Sequence, residues 1–133
     1  MVYTNDVSKH TVVIGGFPIE GYLSDDKTMW ELDGDEATSQ IGADGFSTVN
    51  RVFVNGSFSV TLAAGSPSVT VLSALFPRPA SSATFMLKDG CNGSTVVGMA
   101  SLKKRSGFGL KTTSDGYTFE FIATDNVQTL KGV

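Results

Sequence analysis

The 133 residues suffice for one hydrophobic core, because a single domain usually spans about 100–200 residues. Charged residues make up only 17% of the chain, against about 25% in an average soluble domain, and interface cores show a similar depletion of charge. The net charge of −3 excludes a protein that grips nucleic-acid phosphates through a basic face.

The first predicted strand is the β-branched run Thr11 to Ile14, which ends at Gly15-Gly16. Pro18 follows where a strand would begin or bulge, so we predict an edge strand with a kink. The preceding segment, Met1 to His10, lacks the apolar stretch of a signal peptide, and no run reaches the roughly 18 apolar residues of a membrane span. We therefore expect a soluble chain made in the cytoplasm, with no membrane partner.

The segment from Leu23 to Gly45 is strongly acidic, with Lys27 as its one basic residue and Trp30 as the one tryptophan of the chain. Its acidic residues are Asp25, Asp26, Glu31, Asp33, Asp35, Glu36 and Asp44. The segment is too long for an ordinary turn. We predict a long acidic loop over residues 23–45, which either stays irregular or forms a two-stranded arm around Met29 to Leu32.

The pair Asn55-Gly56 predicts the turn of a β-hairpin, since these residues readily adopt the positive φ of a type I′ turn. The flanking strands are predicted at Phe46 to Val54 and at Ser57 to Ala63. In the second strand, apolar Phe58, Val60 and Leu62 alternate with polar residues, which indicates one buried face.

One helix is predicted over residues 66–76. Ser66 can cap the first free amides, and Pro67 suits the first helical position. Apolar residues recur at helical spacing at Val69, Leu72, Leu75 and Phe76. Pro77 and Pro79 are expected to end the helix.

Two further hairpins are predicted in the C-terminal half. The first joins Ala83 to Lys88 with Thr95 to Lys103 around Asp89-Gly90, and the second joins Phe108 to Thr113 with Tyr117 to Thr124 around Asp115-Gly116. Residues Asp125 to Val133 form a short final strand or an arm. The whole pattern predicts a single mainly β domain over residues 1–133, a two-sheet β-barrel or sandwich with one α-helix packed on its side.

Residues suited to catalysis or metal binding are sparse. His10 is the only histidine, in a polar stretch that we expect to be loose, so no catalytic triad is predicted. Cys91 is the only cysteine, which excludes an internal disulfide framework and a cysteine-based zinc cluster; we interpret it as a passive thiol in a turn. The acidic residues lack the spacing of a calcium loop. We expect no enzymatic activity, no cofactor and no metal.

The order of these parts resembles the tail tube proteins of contractile-tailed bacteriophages. The likeness covers residues 12–76 and is carried by Ile19-Glu20-Gly21-Tyr22, Asp25-Asp26, Gly42-Ala43-Asp44-Gly45 leading into Phe46 to Val54, the hairpin to Leu62, and the helix Ser66 to Phe76 with Ser68 and Leu72. Type VI secretion tube proteins share this architecture, so the resemblance extends to them.

The resemblance implies two sheets wrapped into a barrel capped by one helix, and hexameric rings whose sheets join into a continuous inner barrel. Stacked rings would form the tube of a virion tail assembled in the host cytoplasm, with tail sheath and baseplate proteins as further partners. DNA would pass through the lumen without specific binding, and an acidic protein suits that passage because it repels the cargo. In this family the loop that corresponds to Leu23 to Ala37 reaches a neighbouring subunit or ring.

Charge is segregated along the chain, with eight of the thirteen acidic residues between Glu20 and Asp44 and four of the ten basic residues between Lys103 and Lys111. Complementary patches on two subunits would set their register and polarity. The candidate inter-subunit residues are therefore Asp25, Asp26, Trp30, Asp33, Asp35, Glu36, Lys103, Lys104 and Arg105. The alternative is that both segments are solvated loops.

Two other functions stay open on the sequence. One is a tube-like baseplate or tail-terminator protein, which would not polymerise without limit. The other is a β-rich module that binds carbohydrate or protein, since an exposed Trp30 would suit either ligand.

Overall fold

The computed structural model describes residues 2–78, 80–107 and 109–132. The α-helix α1 spans Pro67–Leu75, and a short 3₁₀ helix, Val7–Lys9, precedes the first strand. The strands are β1 Thr11–Ile14, β2 Phe17–Pro18, β3 Glu31–Leu32, β4 Ala37–Ile41, β5 Ser47–Arg51, β6 Gly56–Leu62, β7 Ser82–Lys88, β8 Thr95–Arg105 and β9 Tyr117–Thr129. The predicted class, mainly β with one helix and two sheets, is confirmed. Two predicted boundaries, Pro79 and Phe108, lie outside the described residues.

Seven strands form one antiparallel sheet in the order β2-β1-β7-β8-β9-β6-β3. The long strands β8 and β9 lie near its middle, and their register shifts between Val97 and Met99 and again between Leu102 and Lys104. Such bulges increase the local twist of a sheet. The two edges are short, because β2 and β3 each have two residues.

One face of this sheet carries the hydrophobic core. Phe58, Val60 and Leu62 are buried along β6, and their side chains share the core with Phe119 and Phe121 of β9. The period-2 pattern thus predicted the buried face of β6 correctly. Adjacent strands bury these rings together, since Phe58 stacks on Phe121 with 5.1 Å between ring centroids.

Helix α1 packs on the core as predicted. Leu72 and Phe76 are fully buried, and the ring centroids of Phe76 and Phe121 lie 5.0 Å apart. Ser66 caps the helix by accepting a hydrogen bond from the Ser68 amide. The Ser68 hydroxyl accepts a hydrogen bond from the Glu20 amide at 2.9 Å, so the start of the helix is tied to the loop after β2.

The predicted hairpin around Asn55-Gly56 is wrong. β6 pairs along its whole length with β9, from Gly56 with Ala123 to Leu62 with Tyr117, and its first residues also pair with β3. β5 pairs with β4 instead. The physical reason is burial: β6 gains a core face against β9, and this outweighs a local turn preference.

The two C-terminal hairpin predictions had different outcomes. β7 and β8 form the predicted hairpin, with Lys88 opposite Thr95. The one around Asp115-Gly116 is wrong, because β9 pairs with β8 and β6, and no strand lies within residues 109–113. The proposed final strand is the end of β9, which continues to Thr129.

The predicted kinked edge strand is a small hairpin. Gly15 and Gly16, both at positive φ, turn the chain from β1 into β2, with Val13 opposite Pro18. β2 lies at the sheet edge, where a proline without an amide proton is tolerated. β1 is covered on its other side by β7, so it is not itself an edge. Within the described ranges, no helix has the length and apolar character needed to cross a bilayer.

Candidate assembly surface

A two-stranded hairpin lies outside the seven-stranded sheet. Within the described residues, β4 and β5 pair only with each other, from Ala37 with Arg51 to Ile41 with Ser47. The Gly42 amide donates to the Phe46 carbonyl at 2.9 Å, which closes the turn. We call residues 37–51 the arm. An arm around Met29 to Leu32 was one of two alternatives for the segment 23–45, and that placement is wrong because β3 belongs to the main sheet.

The two faces of the arm differ: one carries all of its apolar strand residues among polar ones, and the other is entirely polar. We call the first the apolar face. Side chains alternate along a strand, and directly opposed residues share a face. The register therefore places on one face Ala37, Ser39, Ile41, Ser47, Val49 and Arg51. It places on the other face Thr38, Gln40, Thr48 and Asn50. Every strand residue of the arm except Thr48 is exposed.

The large apolar side chains of the arm face solvent in the single chain. Ile41 is 74% exposed, Val49 72%, and Phe46 at the turn 74%. Phe53, just beyond β5, is 86% exposed. An isolated two-stranded hairpin is at best marginally stable in water, and the apolar side chains of this one are not packed against the core. The arm thus has the properties of a segment that another surface covers.

The predicted acidic contact residues are all exposed. Asp25 and Asp26 lie in the loop between β2 and β3, whereas Asp33, Asp35 and Glu36 lie between β3 and the arm. The segment 23–45 is thus a loop, a short edge strand and the first half of the arm, and its negative charge is concentrated at the arm's base.

The predicted basic contact residues Lys103, Lys104 and Arg105 form the exposed end of β8. Among the residues that the structure describes, none of the three makes a salt bridge. In the described part of the chain, the acidic and basic segments form no salt bridge with each other, although Lys104 lies opposite Glu120 in the sheet. Their charges are available to another molecule.

Trp30 has a mainly internal set of contacts. The side chain is half-buried, and its ring centroid lies 5.9 Å from that of Phe85. Its indole N–H donates to Oε1 of Gln128 at 3.2 Å. Its remaining surface lines a groove of about 790 Å³, whose apolar lining includes Met29 and Leu130.

The surroundings of His10 were not anticipated. The residue was expected to be loose, yet its side chain is only 22% exposed and its Nδ1 atom lies 3.3 Å from Oδ1 of Asp89. The cause is the pairing of β1 with β7: Thr11 lies opposite Lys88, which brings the preceding His10 beside the following Asp89. Cys91 lies in the same loop. No local sequence signal reveals this register.

No protein-family model and no curated protein matches this chain. The arm, the charged segments and the groove are the features of this chain that bear on its function.

Proposed function

We propose that this chain is a structural, non-enzymatic subunit that assembles with copies of itself into hexameric rings, stacked as the tail tube of a bacteriophage. The tube would be the conduit for DNA delivery in the virion tail. The observation that carries self-assembly is the exposed apolar face of the arm. The ring number and the viral setting rest on the resemblance of residues 12–76 to tail tube proteins.

Covering the arm would supply a substantial driving force. Burying one large apolar side chain contributes about 1.5–3 kcal/mol, and Ile41, Phe46 and Val49 are each more than two-thirds exposed in the single chain. A neighbouring subunit that covers these side chains would also stabilise the hairpin itself. This supports an arm that folds fully only within the assembly.

The charge distribution supports a second copy as the partner of the arm. The base of the arm is acidic, the end of β8 is basic, and the basic residues have no intramolecular salt bridge within the described ranges. Two copies in head-to-tail orientation would bring unlike charges together, and such a contact forms a ring when its rotation closes.

The other partners follow from the tube. Tail sheath and baseplate proteins would contact its outer surface and its end, and DNA would traverse the lumen without specific binding. A net charge of −3 supports such passage, because a repulsive wall does not retain the cargo.

The proposal is tested by imaging the purified full-length chain by negative-stain electron microscopy and by sedimentation velocity over a range of concentrations. We expect six-fold rings and tubes made of stacked rings. Monomers at every concentration would overturn the proposal.

Of three alternatives, two predict different images. A tail-terminator or baseplate protein would give single rings that do not stack, and a secretion tube would give tubes like those of the phage. A carbohydrate- or protein-binding module would stay monomeric; the groove beside Trp30 favours this reading over an enzyme.

A further inference from the structure

Three side chains that can ligate a metal meet where the loop after β7 approaches the start of β1. The Nδ1 or Nε2 atom of His10, a carboxylate oxygen of Asp89 and Sγ of Cys91 all lie within 4.8 Å of one another. None of the three is fully exposed. The cluster borders the groove beside Trp30, and Lys27 donates to the His10 carbonyl at 2.6 Å. The inference uses none of the proposed contact residues of the assembly, so it can be tested independently of the proposed function.

The loop that carries two of these groups is held by its own hydrogen bonds. Oδ1 of Asp89 accepts from the Cys91 amide at 2.9 Å, and the Asp89 carbonyl accepts from the Gly93 amide at 2.8 Å. Gly90 abuts the Lys9 carbonyl so closely that a Cβ atom would not fit there. The loop is thus fixed against the segment that carries His10, and the three groups are preorganised.

The imidazole of His10 is oriented in the manner of a metal ligand. Nε2 lies 2.9 Å from Oδ1 of Asn5, which can only accept, so Nε2 is the donor of this pair, and in the neutral ring Nδ1 then carries the lone pair. Nδ1 is buried without a hydrogen-bond partner among the described residues. Its nearest polar neighbour is the carboxylate of Asp89, another acceptor. A cation between the two would satisfy both, and ligating histidines typically donate their second N–H in this way.

The sulfur of Cys91 is held against the N-terminal segment. The Asp6 amide donates to Sγ at 3.2 Å, and the thiol donates to the Asp6 carbonyl at 3.6 Å. Asn5 and Asp6 thus both contact the cluster, which joins the N-terminal segment to the loop after β7.

We propose that His10, Asp89 and Cys91 bind a zinc-class divalent transition-metal ion, with water as the fourth ligand. A nitrogen, an oxygen and a sulfur ligand together favour zinc over calcium or magnesium, which prefer oxygen alone. Two ligands of a tetrahedral zinc ion lie about 3.3–3.8 Å apart, given bonds of about 2.0–2.3 Å. The Nδ1–Oδ1 distance of 3.3 Å already meets this spacing, whereas Sγ lies within 4.8 Å of the other two ligand atoms and would move closer when the ion binds. The bound ion pins the N-terminal segment to the loop between β7 and β8.

The test is a titration of the metal-free, reduced full-length chain with Co²⁺, a spectroscopic substitute for zinc. We expect a thiolate-to-cobalt charge-transfer band in the near ultraviolet, saturation at one ion per chain, and displacement by Zn²⁺. Cys91→Ser should abolish the band. His10→Gln and Asp89→Asn should each weaken the affinity for Co²⁺ by at least about tenfold. Replacing a group that only hydrogen-bonds to a metal ligand already costs about this much, and a ligand itself should cost more.

Matched variants separate metal binding from folding. Asp89→Asn keeps an oxygen that can accept from the Cys91 amide, so the loop should fold, as checked by circular dichroism without metal. Asp115→Asn removes a carboxylate that is 75% exposed and far along the chain, and should leave the titration unchanged. Absence of the charge-transfer band in the wild type would overturn the proposal. So would a His10→Gln protein that binds Co²⁺ as tightly as the wild type, because the thiol would then bind cobalt without the histidine.

Discussion

The indole of Trp30 lies over Gly56 and occupies the space that a Cβ atom at position 56 would need. Gly56 is buried within β6, where it pairs with Leu32 on one side and Ala123 on the other. The glycine is therefore required by a close approach between a ring and the backbone. It does not serve the reverse turn that the Asn55-Gly56 pair predicted.

We expect Gly56→Ala to destabilise the fold by about 1–3 kcal/mol, the usual cost of inserting a methyl group into a packed site. The measurement is chemical denaturation followed by circular dichroism. In a Trp30→Ala background the same substitution should cost much less, because the obstructing ring is gone. Equal costs in the two backgrounds would contradict the proposed contact.

Leu72 should be essential for folding, since it is fully buried at the centre of the face that α1 presents to the sheet. We expect Leu72→Ala to cost about 2–5 kcal/mol and Leu72→Asp to prevent soluble folding, because the latter buries an unpaired charge. Ser73→Asp is the matched control on the exposed side of the same helix and should fold. A soluble Leu72→Asp protein with native circular dichroism would show that the helix does not cover the core.

Tyr22 should make stability fall at alkaline pH. Desolvation, assisted by the charge of Glu20, raises the pKa of its hydroxyl from 10.0 to about 12. The folded state thus favours the protonated phenol. Its contribution is complete below pH 10, the unfolded value, and is lost as the pH rises through about 12.

The measurement for Tyr22 is the free energy of unfolding at several pH values between neutral and about 12. Tyr22→Phe should flatten the alkaline part of this curve. It should cost little at neutral pH, because the hydroxyl is buried without a hydrogen-bond partner in the described part of the chain. Tyr117→Phe is the control, and an identical alkaline loss in all three proteins would assign the effect to other groups.

Local patterns predicted those elements whose partners are near in sequence. The Ser66 cap, the β7–β8 hairpin and the alternation in β6 all depend on neighbouring residues, and each is confirmed. The failures concern distant partners. β6 pairs with β9 rather than β5, and His10 meets Asp89, because burial across the whole sheet sets the register. For the same reason, the sequence predicted a long acidic loop over residues 23–45, with an arm as one alternative, but did not locate the strands that form the arm.

The arm should control assembly through its apolar face. Val49→Asp places a charge on that face, whereas Asn50→Asp places the same charge on the polar face of the same strand. Both positions are exposed, so both variants should fold. We expect Val49→Asp to sediment as a small species while Asn50→Asp forms tubes like the wild type. Loss of tubes in both, or in neither, would show that the apolar face is not the contact.

The acidic base of the arm should act through charge. We propose to replace Asp33, Asp35 and Glu36 together with Asn, Asn and Gln, which keeps the size of each side chain and removes three charges. All three are exposed, so the variant should fold and form single rings but stack poorly. Stacking of the wild type should weaken as salt shortens the screening length toward about 3 Å at 1 M.

Two readouts distinguish this electrostatic role from a solvated loop. Tube length, measured by electron microscopy at low and high salt, should depend on salt in the wild type and hardly at all in the triple variant, because its charges are already gone. A second triple variant, with Lys103, Lys104 and Arg105 changed to Gln, should show the same defect if these residues are the partners of the acidic base. Normal tubes from both variants, insensitive to salt, would leave the apolar face of the arm as the surface that holds the rings together.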